Sequence, residues 1–540
     1  MRNENKNKLE KDTIIFKKLI SKMTLEEKIG QMFQVGFVGT KVTSEISEMI
    51  KDYHVGGIIY FRRNIKSLIQ VSNLSNELQV LSINQRMGLP LIISTDQEGG
   101  IVHRLIGGTH FPGSMVLGAT KNVELAKRMG QAIAKELKTL GINMDFAPVL
   151  DVNCNSLNPV IGVRSFGEDP FWVAKLGVAF IKGVQAEGII ACGKHFPGHG
   201  DTVVDSHLSL PVVKHGRNHL EKVEFYPFIQ AIQAGVDSIM TAHVCFPSIE
   251  SKEDIPATLS YNVLTNLLRK ELGYTGIIIT DCMEMKAIAD GFGTSEGAIM
   301  SIKAGSDIVL VSHSINKQKQ AIEMVIEAVR KGEIPEERIN QSVLRILKLK
   351  GKRIGLKNPP ISDYRKIDKK MDEELAYQIA KKGVTLVKDE SNLIPIDMFN
   401  SKKILVLDFF LKRSSLVEDD IENKNLLVDF LKEEGVEVEH YTFFEGEDTM
   451  PPLKGIDRII VCSFNAIHNP YQVKIIRKIQ TLNIPFIVLA LCNPYDLQVF
   501  PEVSTFLTTY DYSPFNLKAV SEIIIGKHKV QGVLPITLKI

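Results

Sequence analysis

The sequence predicts an α/β protein: an N-terminal (β/α)8 TIM-like barrel followed by a smaller three-layer α/β sandwich domain. Three observations carry the prediction. Eight short apolar runs bounded by Gly or Pro recur through the first 312 residues, separated by segments whose apolar residues return every three or four positions. Near-continuous apolar strands alternating with helices imply a parallel sheet covered on both faces, and eight such units imply closure. Polar residues gather at the C-terminal ends of the runs, the rim on which barrel enzymes build their sites.

In chain order the runs are "IGQMFQVGF" (29–37), "VGGIIYF" (55–61), "PLIISTD" (90–96), "INMDFAPVLDV" (142–152), "GIIACGKHF" (188–196), "GVDSIMTAHV" (235–244), "GYTGIIITD" (273–281) and "AGSDIVLVS" (304–312). Segments such as "NVELAKRMGQAIAKELKTLG" and "PFWVAKLGVAFIKGVQAEG" supply the helices between them. The basic amphipathic segment "RINQSVLRILKLKGKRIGL" ends this part, and the Pro- and Lys-rich "KNPPISDYRKIDKK" reads as a linker. The expected boundaries are a barrel over 1–355, a linker over 356–378 and a second domain over 379–540. That domain shows five further strand-like runs, "KKILVLDFF" (402–410), "VEVEHYTFF" (436–444), "DRIIVCSFN" (457–465), "PFIVLALCN" (485–493) and "STFLTTYDYS" (504–513). None is followed by a Gly-rich phosphate loop, which argues against a nucleotide site there.

Composition narrows the function. A net charge of +2, from 65 basic and 63 acidic residues, offers no field that would attract a polyanion, so no nucleic-acid partner is expected. The charged N-terminus lacks a signal-like apolar run, and no segment is long and apolar enough to span a membrane, so the sequence reads as cytoplasmic. The six cysteines form no C-x-x-C pair and read as reduced core thiols rather than zinc ligands or disulfides.

The stretch "KHFPGHGDTVVDSHLSLP" (194–211) concentrates the chemistry. Pro197, Gly198 and Gly200 exclude a helix, each costing about 1–3 kcal/mol in a helix interior. It is therefore a loop at a strand end, where catalytic groups tend to sit. Asp96, Asp151, Lys194 with His195, His243 and Asp281 each lie at or just past a different strand end. In "DSH" an extended loop would turn Asp205 and His207 the same way; their contact would orient the imidazole and favour its charged form, as suits a general acid. An Asx-type loop brace fits the same spacing, and a lone strand-end aspartate such as Asp281 is as compatible with a structural role.

The motifs "STDQEGG" (94–100), "NPVIGVRSFGEDP" (158–170), "KHFPGHGDTVVDSH" (194–207), "MTAHV" (240–244) and "IIITDCMEM" (277–285) together resemble the β-N-acetylglucosaminidase branch of glycoside hydrolase family 3, two-domain bacterial type. The resemblance runs from about Met23 to the C-terminus. It implies Asp281 as the nucleophile of a retaining hydrolysis, His207 as acid and base, and Asp205 as its orienting partner. It assigns Asp96 to sugar hydroxyls and places Arg104, Arg164, Lys194 and His195 around the N-acetylhexosamine. Ile101 stands where many relatives have arginine, which leaves Arg104 as the nearer cation. His199 and Asp201 are expected to hold the loop, with its glycines as hinge.

The resemblance further implies an exo-acting enzyme that releases terminal β-linked GlcNAc from peptidoglycan fragments (muropeptides) during cell-wall recycling, with no metal or organic cofactor and a small carbohydrate as its partner. Two alternatives share the barrel, a β-N-acetylglucosaminide phosphorylase and a non-catalytic sugar-binding protein. A β-glucosidase, the remaining rival, would be expected to take its acid from the second domain.

Overall fold

The computed structural model describes residues 13–252, 254–356, 359–397, 403–410, 417–418 and 426–540. Eight parallel strands close into a barrel: β1 (Phe33–Val35), β2 (Gly57–Tyr60), β3 (Ile92–Thr95), β4 (Met144–Asp145), β5 (Ile190–Phe196), β6 (Ser238–Thr241), β7 (Ile277–Cys282) and β8 (Ile308–Val311). Each of the eight apolar runs holds one of them, β7 extending one residue past its run, and β8 pairs with β1 through Phe33↔Val309 to Val35↔Val311. Strand side chains are buried on both faces, as expected of a sheet filled inside and covered by helices outside. Helix Val123–Thr139 packs on helix Pro170–Ala186, with Gly183 closing against the Lys127 carbonyl. Among the described residues, no helix is long and apolar enough to cross a membrane.

One run departs from expectation. "INMDFAPVLDV" is regular strand only over Met144–Asp145, because Pro148 has no N–H to continue the ladder. The chain instead follows β5 irregularly: Cys192 N donates to Ala147 O at 3.0 Å and Leu150 N to Lys194 O at 2.6 Å. This detour delivers Asp151 beside the end of β5.

The two ends of the barrel carry different charge clusters. At the N-terminal end of β8, Asp307 is fully buried and accepts from Ile278 N, Ser342, Arg345 and Arg269, while burial pressure on its charge is outweighed by the three arginines around it, Arg338 included. A buried ion cluster at this end of a barrel, away from the strand C-termini, serves stability. The C-terminal end holds the cavity described below.

The second domain is a six-stranded sheet, β9 (Thr385–Asp389), β10 (Lys403–Phe409), β11 (Glu437–Phe443), β12 (Arg458–Ser463), β13 (Phe486–Ala490) and β14 (Thr505–Thr508), in the order β9-β14-β13-β12-β10-β11. Only β9 runs antiparallel. Alternate residues face two layers: Leu405, Leu407, Ile459 and Val461 pack on helix Pro470–Gln480, whereas Ile404, Val406, Ile460 and Cys462 join a core continuous with the barrel. Edge strand β9 was not among the predicted runs; "TLVKD" is short and half-polar. Helix Lys369–Gly383, which precedes it, packs on barrel helix Ser114–Thr120, and Gly383 comes so close that a Cβ there would sit 2.3 Å from Val116 Cγ1. Further ties cross the interface: Gly113 N donates to Asp511 Oδ2 at 2.7 Å, and Val533 N to Ala119 O at 2.9 Å.

Candidate active site

The strand ends of the barrel surround a cavity of about 390 Å³, in the size range of small-ligand sites. Seven of the eight residues selected from the sequence line it: Asp96, Arg104, Arg164, Lys194, His195, His207 and Asp281. Asp205, the eighth, stands behind His207.

Two linked carboxylates organise one wall. Lys194 Nζ, buried within the barrel mouth, reaches both Asp96 Oδ1 and Glu98 Oε1 at 2.7 Å. Arg164 grips Glu98 through Nε and Nη2 at 2.9 and 2.7 Å and donates Nη1 to Val160 O. Burial works against the Glu98 charge, but Arg164 and Lys194 overcome it and hold its carboxyl far below the usual range. Asp96, the less buried carboxylate, keeps a face to the cavity. A carboxylate bearing one lysine and facing a pocket can accept the two hydrogens of a vicinal diol.

Glu98 is the residue that sequence reading missed here. It lay within the quoted "STDQEGG" motif, and its signal was a second acid just beyond a strand end. Breaking the buried pair by Arg164→Met should cost about 3 kcal/mol, since it strips the bidentate partner from a carboxylate still enclosed. Urea unfolding checks this: an unchanged midpoint would show that Lys194 alone suffices.

A second cluster fixes the loop after β5. Asp151, fully buried, accepts the backbone N–H of His195 and of His199 and bonds His195 Nδ1 at 2.7 Å. His199 lies between Thr202 Oγ1 and Ser206 Oγ at 2.9 and 3.0 Å, and Asn158 Nδ2 donates to the carbonyls of His199 and Gly200. Two of the loop glycines, expected from sequence to serve as a hinge, are closely packed. A Cβ at Gly200 would fall 1.7 Å from the Val152 carbonyl oxygen, and Gly198, at φ +146°, lies against the Glu224 side chain.

Farther along the loop, His207 Nδ1 meets Asp205 Oδ1 at 2.7 Å, and His207 N donates to the same oxygen at 2.8 Å. The segment is a turn, not an extended loop, so the brace and the acid-orienting contact coexist in one carboxylate. Burial raises Asp205, but the hydrogen bond and charge of His207 prevail and lower it. With Nδ1 bound to Asp205, Nε2 is the ring nitrogen left for a reacting oxygen.

Asp281 sits at the end of β7 and accepts the Cys282 N–H at 2.7 Å. Burial opposes its charge, but the imidazoles of His243, His195 and His207 outweigh it and bring its carboxyl down to about 2. His243 is itself held by Thr258 Oγ1 and Cys282 O at 2.8 and 3.0 Å. Because the folded value lies below the ordinary 3.8, the stabilisation from this charge is complete above pH 3.8 and disappears as pH falls to about 2. Asp281→Asn should therefore flatten the dependence of melting temperature on pH across that window and leave it parallel to wild type above it.

Other lining groups are residues the sequence reading did not select. Arg63, past the end of β2, donates to Phe37 O and Ser312 O at 2.9 and 2.6 Å. The second domain reaches the rim through Val417 and Glu418, and Arg104 Nη2 donates to Val417 O at 2.7 Å. Arg63 follows the strand-end rule and was findable; the Val417 contact uses main chain and left no pattern.

Comparison with known proteins identifies the family and the fold. Residues 24–349 match the model of the glycosyl hydrolase family 3 N terminal domain. A β-N-acetylglucosaminidase structure of that family from Paenibacillus sp. str. FPU-7 superposes with a TM-score of 0.90 at 41% identity, covering 96% of this chain and 99% of that one. Beta-hexosaminidase A of Pseudoalteromonas piscicida is 36% identical over 398 residues, 68% of this chain and 67% of its own. A β-N-acetylglucosaminidase/β-glucosidase of Cellulomonas fimi is 26% identical over 96% of this chain and 94% of its own.

Proposed function

Because the chain belongs to glycosyl hydrolase family 3 and is a glycoside hydrolase, we propose that it is an exo-acting β-N-acetylglucosaminidase that works with retention. The observation that carries this reading is the pairing across one cavity of an ionised aspartate, Asp281, with an imidazole fixed by a carboxylate, His207 on Asp205. The names borne by the relatives support the N-acetylhexosamine specificity.

In the first step the Asp281 carboxylate attacks the anomeric carbon while His207 Nε2 gives its proton to the departing glycosidic oxygen. In the second, His207 takes a proton from water, which attacks the anomeric carbon and releases Asp281. Positive charge developing on the sugar ring is stabilised by the carboxylate already ionised beneath it. Asp96 and Lys194 hold hydroxyls of the terminal sugar, and the enclosed wall behind them limits the enzyme to chain ends. The eight residues selected from sequence keep the roles given there, with Arg164 acting through Glu98.

The natural substrate in this reading is GlcNAc β-linked to N-acetylmuramic acid in peptidoglycan fragments, cleaved during cytoplasmic cell-wall recycling. A barrel over 1–355, a linker over 356–378 and a sandwich over 379–540 are part of the same proposal, with helix Lys369–Gly383 running from linker into sandwich. Initial-rate assays on nitrophenyl β-GlcNAc and β-glucoside test the specificity, and preference for the glucoside would overturn it. Proton NMR of the first product should show β-GlcNAc; an α-anomer would exclude retention, and GlcNAc-1-phosphate formed in phosphate buffer would make the enzyme a phosphorylase.

A further inference from the structure

The stretch "HGRNHLEKVE" (215–224), just downstream of the loop that carries Asp205 and His207, gathers groups for which the hydrolytic reaction has no use. His215 ends that loop and His219 lies in helix Arg217–Lys222; their rings stack with centroids 3.9 Å apart at 26°. Glu224 precedes the next helix, Phe225–Gln233. One donor atom from each of the three lies within 4.8 Å of the other two.

Glu224 sets this cluster apart from a chance grouping of surface histidines. It is 1% exposed, and among the described residues neither of its carboxylate oxygens has a hydrogen-bond partner. His219 Nε2 stands 3.7 Å from Oε1, too far for a hydrogen bond. Gly198 closes the other side, where a Cβ would sit 2.7 Å from Glu224 Cβ. A buried carboxylate without donors is costly and calls for a counter-charge. From the loop side, Asp201 Oδ2 lies 2.6 Å from His215 Nε2, bringing a second carboxylate to the group.

Two imidazoles four residues apart and a carboxylate form the donor set of a borderline divalent ion, with zinc the best match in softness. The two carboxylates carry −2 between them, which neutralises such an ion beside neutral imidazoles. A carboxylate bonded to one ligand histidine is also the usual means of orienting that ring.

We propose that His215, His219 and Glu224 bind a zinc-class divalent ion, with Asp201 bound to His215, so that the ion fixes the base of the loop bearing Asp205 and His207. The ion is structural: it lies outside the residues that line the sugar cavity, and no proton or bond of the hydrolysis passes through it. The expectation of a metal-free protein came from the scattered cysteines and the family chemistry, neither of which bears on these side chains.

The test uses the full chain stripped with a chelator and titrated with Zn²⁺. One equivalent should bind, and the melting temperature should rise by about 5 °C at saturating metal. His219→Ala and Glu224→Gln should each weaken binding by about 10²-fold or more, and Asp201→Asn by about 10-fold. His207→Ala should leave the stoichiometry and affinity unchanged, which separates this site from adventitious binding at the dyad. Co²⁺ in place of zinc should give visible d–d absorption that His219→Ala abolishes. No stoichiometric binding by the wild type, undiminished binding in His219→Ala, or loss confined to His207→Ala would each overturn the proposal. If Glu224→Gln fails to fold, His219→Ala decides, because its ring is 44% exposed and its removal leaves the core intact.

Discussion

Asp281→Ala is expected to lower turnover by about 10⁴-fold or more on every leaving group, natural or activated. In the proposed mechanism no glycosyl-enzyme can then form, and a better leaving group cannot compensate for an absent nucleophile. The fold should survive, since among the described residues the side chain accepts one hydrogen bond, from Cys282 N. Added azide makes the test specific. A small anion entering the vacated space attacks from the side Asp281 occupied, so activity should return with an α-glycosyl azide as product. Residual activity above about a tenth of wild type, set against the loss expected for a nucleophile, would remove Asp281 from that role.

His207→Ala should behave differently, by an amount that depends on the leaving group. A disaccharide leaves as a poor alkoxide and needs its proton, so its hydrolysis should fall by about 10²–10⁴-fold. A nitrophenolate needs little protonation, so the first step should survive in part. In the proposed mechanism the same imidazole activates water, so the second step should slow, and a burst of nitrophenol should precede a slower steady state. Asp205→Ala should reproduce this pattern more mildly, because it frees the ring that Asp205 now holds by Nδ1. Equal losses on both substrates with no burst would reduce the pair to the loop brace that its turn geometry also provides.

The barrel was legible because its strands are buried on both faces, so periodicity and length alone marked all eight. Where a strand is short and half-polar, as in Thr385–Asp389, no such contrast exists and the edge went unseen. Proline accounts for the other departure: Pro148 interrupts an otherwise strand-like run, and only the three-dimensional pairing shows that the chain still tracks β5. At the site, residues that stand at strand ends were found by that position. Glu98 was hidden by its neighbour Asp96, since sequence cannot tell which acid faces a ligand and which is neutralised by Arg164. The close packing of Gly198 and Gly200 was invisible in sequence because it depends on the Glu224 side chain and the Val152 carbonyl, both remote in sequence. His215, His219 and Glu224 were passed over because an H-x3-H pair beside a helix start is common, and only burial of the acid separates this one.

The bond from Arg104 to the Val417 carbonyl bears on how the two domains can be mapped genetically. Its acceptor belongs to the main chain, which every amino acid except for its own geometry supplies equally. An alanine scan through the second domain would therefore miss this hydrogen bond: Val417→Ala would register only the lost packing of its side chain against Val149, Val160 and Ile161, while the carbonyl contact persisted. Only changes that move the peptide itself, such as deleting a residue beside it or exchanging the amide for an ester, would register. The substrate-facing share of the second domain would thus be underestimated by any survey that counts side chains, and the arginine on the barrel, rather than its partner, is where such a survey would detect the junction.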